Sequence, residues 1–451
     1  MSAVVQPGSA IHTEQRLPLL ADGDLQRVLI RRAGAPVSAG RFIAQVEALA
    51  ARLPPGRYVV NLCEDRYQFL LAFCAIVLAG QTNLLPAART PHAIAGVMQA
   101  YAGSYTLGDV PIDGVALGFV MSDAAGAGDA DVRSIASIAT DHVVAIGFTS
   151  GSTGAPKPNA KTWGSVCASS ALNAALLGVD AGGASIVATV PPQHMYGLEM
   201  SILLPLRSRA AIHAGQPFFP GDVARALEQT PAPRLLITTP FHLRALLHDA
   251  VALPALQAIV TATAPLEAEL AGAAEARFGA PVVEVFGSTE TCVIAHRHTV
   301  REESWRLFSG VELHPQPDGT LVHAPYFAAP TLLQDIVELL PEHRFRLCGR
   351  NSDLLEIAGK RASLAELTRH LLAIDGVCDG VMFQLDADAR GLRRLAALVV
   401  APALSETHIL ATLRAAIDPA FLPRPLRRVD ALPRNAAGKL PREGLLAALK
   451  R

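Results

Sequence analysis

The stretch from residue 142 to residue 177 limits what this chain can fold into more than any other. Residues 142–148 form a short, β-prone apolar run, residues 149–158 a loop of hydroxyl and glycine residues, and residues 163–177 resume helical periodicity. Strand, polar loop and helix in direct succession make the repeating unit of an α/β layer. The unit recurs, because strand-like runs at 185–190, 235–239, 258–261 and 282–286 are separated by helical patterns such as 222–229 and 266–278. Upstream, residues 41–52 carry apolar positions at helical spacing, 57–62 read as a buried strand, and 67–78 as a helix. The expected class is α/β.

Around residues 348–353 the rhythm changes to a smaller unit, with a helix-like segment at 363–374, apolar strands at 380–384 and 395–400, and a Pro/Arg-rich close. This marks a domain boundary, dividing the chain into residues 1–350 and 351–451. A chain of 451 residues that is 51% hydrophobic has material for more than one core.

Several function classes are disfavoured by composition. The formal charge of −1 gives no bulk attraction to nucleic acid or to a membrane surface. The longest apolar run, residues 69–80, is shorter than the roughly 20 residues that a spanning helix needs. The first residues lack a basic start and a long apolar stretch, so no secretory signal is expected. Six scattered cysteines without CxxC spacing suit reduced thiols, and a cytoplasmic location is expected. Charge is nonetheless uneven: from residue 352 onward 15 Lys and Arg face 11 Asp and Glu.

Thr149, Ser150, Gly151, Ser152, Thr153, Gly154, Ala155, Pro156 and Lys157 place four hydroxyls, two glycines and a lysine within one short loop. Small residues let backbone N–H groups approach an anion, hydroxyls donate further hydrogen bonds, and the lysine adds charge. A polyphosphate is the natural ligand. The loop is not a P-loop, since that spacing would need glycine at Pro156.

With this loop, which matches TSG[ST]TGxPK, the chain resembles the adenylate-forming superfamily of acyl-CoA synthetases, aryl ligases, peptide-synthetase adenylation domains and luciferases. Further segments resemble that family's motifs in order. The segment PPQHMYG resembles PxxHxxG, which implies an acyl pocket lined by His194, Tyr196 and Gly197. The segment TATAPL resembles the turn that borders adenine, implicating Thr261, Thr263 and Ala264. FGSTE resembles YGxTE, which implies that Phe286 stacks on adenine, Gly287 borders the base and acyl group, Thr289 meets the α-phosphate and Glu290 ligates magnesium.

Asp335, fifteen residues before Arg350, resembles the family's ribose clamp, although the TG that usually precedes the aspartate is replaced by Leu333 and Gln334. The run from Gly349 through Arg350, Asn351, Ser352 and Asp353, followed by Gly359, Lys360, Arg361 and Glu366, resembles the hinge of the small domain. Ser352 stands where Asp or Lys is usual, and Glu356 where Lys is usual. PRNAAGKLPR resembles PRxxxGKxxR, which makes Lys439 the catalytic lysine of the first half-reaction.

The resemblance implies a large multi-layer N-terminal domain with mainly parallel sheets and a small mobile α+β C-terminal domain. It implies ATP and Mg2+ as cofactors, catalysis by Lys439, Glu290, Thr149 and His194, and transfer of an activated acyl group to a thiol. Amino-acid-activating members carry Asp where this chain has His194, so an α-amino acid is not the expected substrate.

Residues 61–86 and 191–206 look most like short bacterial ligases of aryl-polyene and xanthomonadin-type pathways, which load a hydroxybenzoate-like acid onto an acyl carrier protein. From residue 423 onward Arg424, Arg427, Arg428, Arg434, Lys439, Arg442, Lys450 and Arg451 outnumber Asp430 and Glu443, a patch suited to an acidic carrier. Two other readings stay open: an aryl- or fatty-acyl-CoA synthetase using free CoA, and a non-catalytic nucleotide- or acyl-binding protein. The loop has no GxSxG elbow, which disfavours a hydrolase.

Overall fold

A computed structural model describes residues 15–32, 35–86, 88–121, 134–149, 157–180, 182–249, 251–316, 319–350, 354–357, 360–385, 394–435 and 438–450. By contacts the chain forms two compact units. The first comprises Met1–Ala188, Pro192–Pro217 and Arg225–Leu235, and the second Thr189–Pro191, Phe218–Ala224 and Leu236–Arg451.

The first unit holds a six-stranded sheet in the order Lys157–Thr162, Val143–Thr149, Thr82–Leu85, Tyr58–Asn61, Tyr105–Gly108 and Phe119–Val120. All its neighbours are parallel except the first pair. Helix Arg66–Leu78 is buried almost all round, which its continuous apolar sequence requires; Asp65 caps it by accepting from the Gln68 N–H. Helix Trp163–Leu177 begins at the Thr162 cap and ends at left-handed Gly178. Both helices match the sequence periodicity.

One element departs from it. Residues 157–158, expected in the loop, open an antiparallel edge strand, Lys157–Thr162. The sequence KPNAKT has no apolar alternation, so its pairing with Val143–Thr149 specifies it, and Pro158 is tolerated on an edge.

The same unit carries strands Ser185–Ala188, Ala211–His213 and Val28–Arg31, paired in parallel, with Val37–Ser38 antiparallel beyond them. Arg66 is fully buried and donates to Ser201 Oγ and to the Ala188 carbonyl at 2.9 Å. Ser201 in turn donates to the Gly197 carbonyl at 2.6 Å. Burial pulls the Arg66 pKa down to about 10, with Asp65 opposing.

In the second unit, Ala258–Thr261 pairs in parallel with Val282–Ser288. Antiparallel strands Cys292–Arg297, Trp305–Leu307, Arg344–Arg350 and Asp335–Leu340 then extend the sheet. Residues 360–450 form an α+β arrangement. Strands Asp379–Gln384, Leu395–Val400 and Leu426–Arg428 are covered by helices Leu364–Leu372 and Glu406–Ala416 through Leu367, Leu371, Ile409 and Leu413. Helix Arg442–Lys450 adds Leu445 to a second small core with Phe383 and Leu398.

The cysteines are all free, and burial raises the thiol pKa of Cys167 to about 12. No described helix is long and apolar enough to cross a membrane.

The Arg66 contacts yield a stability prediction. Arg66→Ala should cost about 2–4 kcal/mol, because it leaves a cavity and a buried carbonyl without its donor. The check is the denaturant midpoint at unchanged m value, with native-like stability as the contrary result.

Candidate functional site

In the first unit, strand Val143–Thr149 and strand Lys157–Thr162 pair so that Thr149 lies opposite Lys157. Thr149 is half-buried and Lys157 exposed. The two therefore bracket the mouth of a hairpin. Ser150, Gly151, Ser152, Thr153 and Gly154, the rest of the expected phosphate loop, lie outside the described residues.

His194 stands at the N-cap position of the short helix Met195–Leu198 without a side-chain capping bond, and that helix runs into a π-helical turn at Glu199–Leu203. Such turns often occur at functional sites. Tyr196 and Gly197 are buried, while His194 is half-buried. Fully buried Glu199 accepts from Ser169 Oγ at 2.6 Å and Asn173 Nδ2 at 3.4 Å. Arg66 and Ser201 restrain the same turn through the Gly197 carbonyl. Sequence reasoning missed Arg66, Ser169, Glu199 and Ser201; for Arg66 and Glu199 the signal was charge inside otherwise apolar helical stretches, whereas the serines gave none.

In the second unit, strand Ala258–Thr261 ends at Thr261, whose buried hydroxyl has no hydrogen-bond partner among the described residues. Two residues on, Thr263 has φ of +81°, a conformation that favours glycine and is strained for a β-branched residue. Ala264 is half-buried.

The neighbouring strand Val282–Ser288 carries Phe286, whose ring lies 5.3 Å from Trp305 and 5.6 Å from Phe345. A bulge follows between Phe286 and Gly287. Ser288 Oγ accepts from the N–H groups of Glu290 and Thr291 at 3.1 and 3.2 Å, closing a tight turn that holds half-buried Thr289 and Glu290. Glu290 has no cluster of ligands around it, since no group of three His, Cys, Asp or Glu residues suited to a metal occurs among the described residues. A single carboxylate is nevertheless compatible with Mg2+, which takes one or two carboxylates together with phosphate oxygens.

The spacing of Asp335 and Arg350 has a structural explanation. Strands Asp335–Leu340 and Arg344–Arg350 form a hairpin in which Asp335 is the register partner of Arg350. Asp335 is buried, and its carbonyl accepts from Thr320 Oγ1 at 2.7 Å.

Lys439 is exposed on a compact turn. The Asn435 N–H donates to the Lys439 carbonyl at 2.8 Å, the Lys439 N–H to Asn435 Oδ1 at 2.9 Å, and the Gly438 N–H to the Asn435 carbonyl at 2.8 Å. Asn351, Ser352 and Asp353, the expected hinge, lie outside the described residues. Thr261, Thr263, Ala264, Phe286, Gly287, Thr289, Glu290, Asp335, Arg350 and Lys439 thus belong to the second unit, and Thr149, Lys157, His194, Tyr196 and Gly197 to the first.

A family model described as AMP-binding enzyme matches residues 27–314. A 4-coumarate–CoA ligase of Halorhodospira halophila is 30% identical over 328 residues, covering 69% of this chain and 78% of that protein. Among solved structures, o-succinylbenzoate CoA synthetase from Bacillus subtilis in complex with its acyl-adenylate intermediate has a TM-score of 0.81 at 19% identity, covering 96% of this chain and 98% of that one. ATP-bound MatB from Rhodopseudomonas palustris has a TM-score of 0.80 at 20% identity, covering 95% and 96%. These likenesses establish a mixed α/β fold with a large N-terminal and a smaller C-terminal domain.

Gly287 offers a test of the geometry. A methyl group there would sit 2.0 Å from the Cys292 carbonyl oxygen. Gly287→Ala should therefore force the strands apart, costing about 2–4 kcal/mol and disturbing the turn that holds Glu290. Thermal unfolding provides the measurement, and an unchanged melting temperature would contradict the close approach.

Proposed function

This chain belongs to the family of AMP-binding enzymes and is an AMP-forming acid–thiol ligase, and we propose that it activates an aromatic, hydroxybenzoate-like acid and passes the acyl group to the phosphopantetheine thiol of an acyl carrier protein. ATP and Mg2+ are its cofactors. In the first step a carboxylate oxygen attacks the α-phosphorus of ATP, the bond to the β-phosphate breaks, and pyrophosphate leaves. In the second, the thiol sulfur attacks the acyl carbonyl, loses its proton, and expels AMP.

The observation that carries the reading is the hydrogen-bonded turn presenting Lys439 in the same unit as Glu290 and the Asp335–Arg350 pair. Two anionic reactants repel each other, so positioned positive charge and hydrogen-bond donors supply most of the rate enhancement. Lys439 meets the charge that builds up on the phosphate oxygens, and Lys157 with the hydroxyls that follow Thr149 holds the polyphosphate. Glu290 holds Mg2+, which when bound neutralises further phosphate charge. Phe286 stacks on adenine, beside Thr263, Ala264 and Gly287, while Asp335 and Arg350 hold the ribose. His194, Tyr196, Gly197 and Thr261 line the acyl pocket. Asn351, Ser352 and Asp353 supply the hinge between half-reactions.

The carrier reading draws on surface charge. Arg424, Arg427, Arg428, Lys439, Arg442 and Lys450 are all exposed near the chain's end, complementary to an acidic partner.

Lys439→Ala should slow adenylation by roughly 10²–10³, measured as acid-dependent pyrophosphate exchange across a panel of benzoates, cinnamates and fatty acids. Exchange near the native rate would rule out the role given to Lys439. For the acceptor, mass spectrometry of products formed with CoA and phosphopantetheinylated carrier offered together should find the acyl group on the carrier. Acyl-CoA alone would overturn that part.

A further inference from the structure

The turn that carries Lys439 is tied down on two sides. Arg434 donates to both oxygens of Asp379 at 2.9 Å and to the Gly438 carbonyl at 3.1 Å. Asp379 opens strand Asp379–Gln384, so one guanidinium joins the turn to the sheet that follows the expected hinge. These contacts lie within residues 360–450 and hold whatever that segment does as a body.

The other side differs in kind. The same Arg434 guanidinium lies over the ring of Phe241, 6.0 Å from its centroid. Gly438 has φ of +74°, and a methyl group on it would meet Thr239 Oγ1 at 3.6 Å and Phe241 Cβ at 3.7 Å. The backbone next to Lys439 therefore rests on the start of helix Pro240–His248, where Thr239 is the cap. Phe241 is itself supported: its ring meets that of His242 at 5.3 Å, and His242 meets Phe218 at 5.1 Å. His242 is buried, and burial holds its pKa down to about 4, so the support stays neutral at ordinary pH. Phe241 keeps 37% of its surface exposed although it is a large apolar side chain.

We propose that Phe241 and Arg434 form a latch that seats the Lys439 turn for the adenylation step and releases it for thioester formation. This rests on the reading of Lys439 as the lysine of the first half-reaction. Both latch residues are positioning residues, acting through the Lys439 turn. A cation over a half-exposed ring at 6.0 Å is a weak, non-directional contact, and a phenyl side chain offers the turn neither an ion pair nor a conventional hydrogen bond. Such a contact biases a seat without locking it, as a step that must be undone in every turnover requires. The Asp379 fork, by contrast, is bidentate and charge-assisted, which keeps the turn's own shape intact on either side of the release.

The test separates the two half-reactions. Using the benzoate that supports the fastest pyrophosphate exchange, Phe241→Ala should slow exchange about three- to tenfold, the effect of losing a modest cation–π contact together with its packing. Transfer from the synthetic acyl-adenylate of that acid to CoA or carrier thiol should stay at the native rate. Phe241→Leu, which retains an apolar side chain at the helix start, should show the same split, and Phe241→Trp should restore exchange. A general loss of structure would instead slow both steps. Unchanged exchange in Phe241→Ala and Phe241→Leu, or equal loss of both half-reactions in the two variants, would overturn the latch. Lys439→Ala in the same assay keeps the two ideas apart. If it retains exchange, the parent reading falls; if it loses exchange while the Phe241 variants keep it, only the latch falls.

Discussion

The largely buried ion pair between Glu284 and Arg297, at 2.7 Å on neighbouring strands of the second unit, is the contact on which its site geometry depends. Burial raises the Glu284 pKa, and Arg297 with Thr299 opposes that shift by favouring the carboxylate. Removing either charge alone would leave the other buried without its counter-ion. The pair joins register partners on strands Val282–Ser288 and Cys292–Arg297, while the Arg297 guanidinium also lies 4.5 Å over Trp305. Trp305 backs Phe286. One buried charge pair thus sets the strand alignment and, through an indole, the ring expected to meet a nucleotide base.

Three residues beyond Glu284 on the same strand, the constraint changes from charge to volume. Gly287 is there because a side chain would collide with the Cys292 carbonyl, and the bulge it permits redirects the chain into the Ser288–Thr291 turn. Thr263, on the turn after the adjacent strand, holds a left-handed backbone with a β-branched side chain. Strain of order 1–3 kcal/mol at such a position persists only where surrounding structure enforces it. Both departures from ordinary backbone geometry occur at the ends of neighbouring parallel strands, where open α/β sheets bind their ligands.

Much of this arrangement is legible in the sequence because it depends on local patterns. Helices Arg66–Leu78 and Trp163–Leu177 are announced by their apolar runs and helical periodicity. The spacing of Asp335 and Arg350 corresponds to a hairpin closed by left-handed Glu342 and His343. Features that depend on distant partners are not legible. Strand Lys157–Thr162 is too polar to signal itself, and its strand character comes from its neighbour. Arg66 finds Ser201 across 135 residues of chain, and Glu199 finds Ser169 across 30, so no local window shows either bond.

The contacts around the Lys439 turn extend the same distinction from folding to turnover. A bidentate charge-assisted fork resists separation, whereas a ring contact at the outer range of a cation–π interaction costs little to break. Arg434 makes both kinds with one side chain: the fork to Asp379 inside its own small sheet, and the ring contact to Phe241 on helix Pro240–His248. An interaction meant to persist belongs between elements that travel together, and one meant to lapse belongs between elements that separate. The contacts around Arg434 are ordered as the proposed latch requires, with the strong fork inside one small sheet and the weak ring contact reaching a helix outside it.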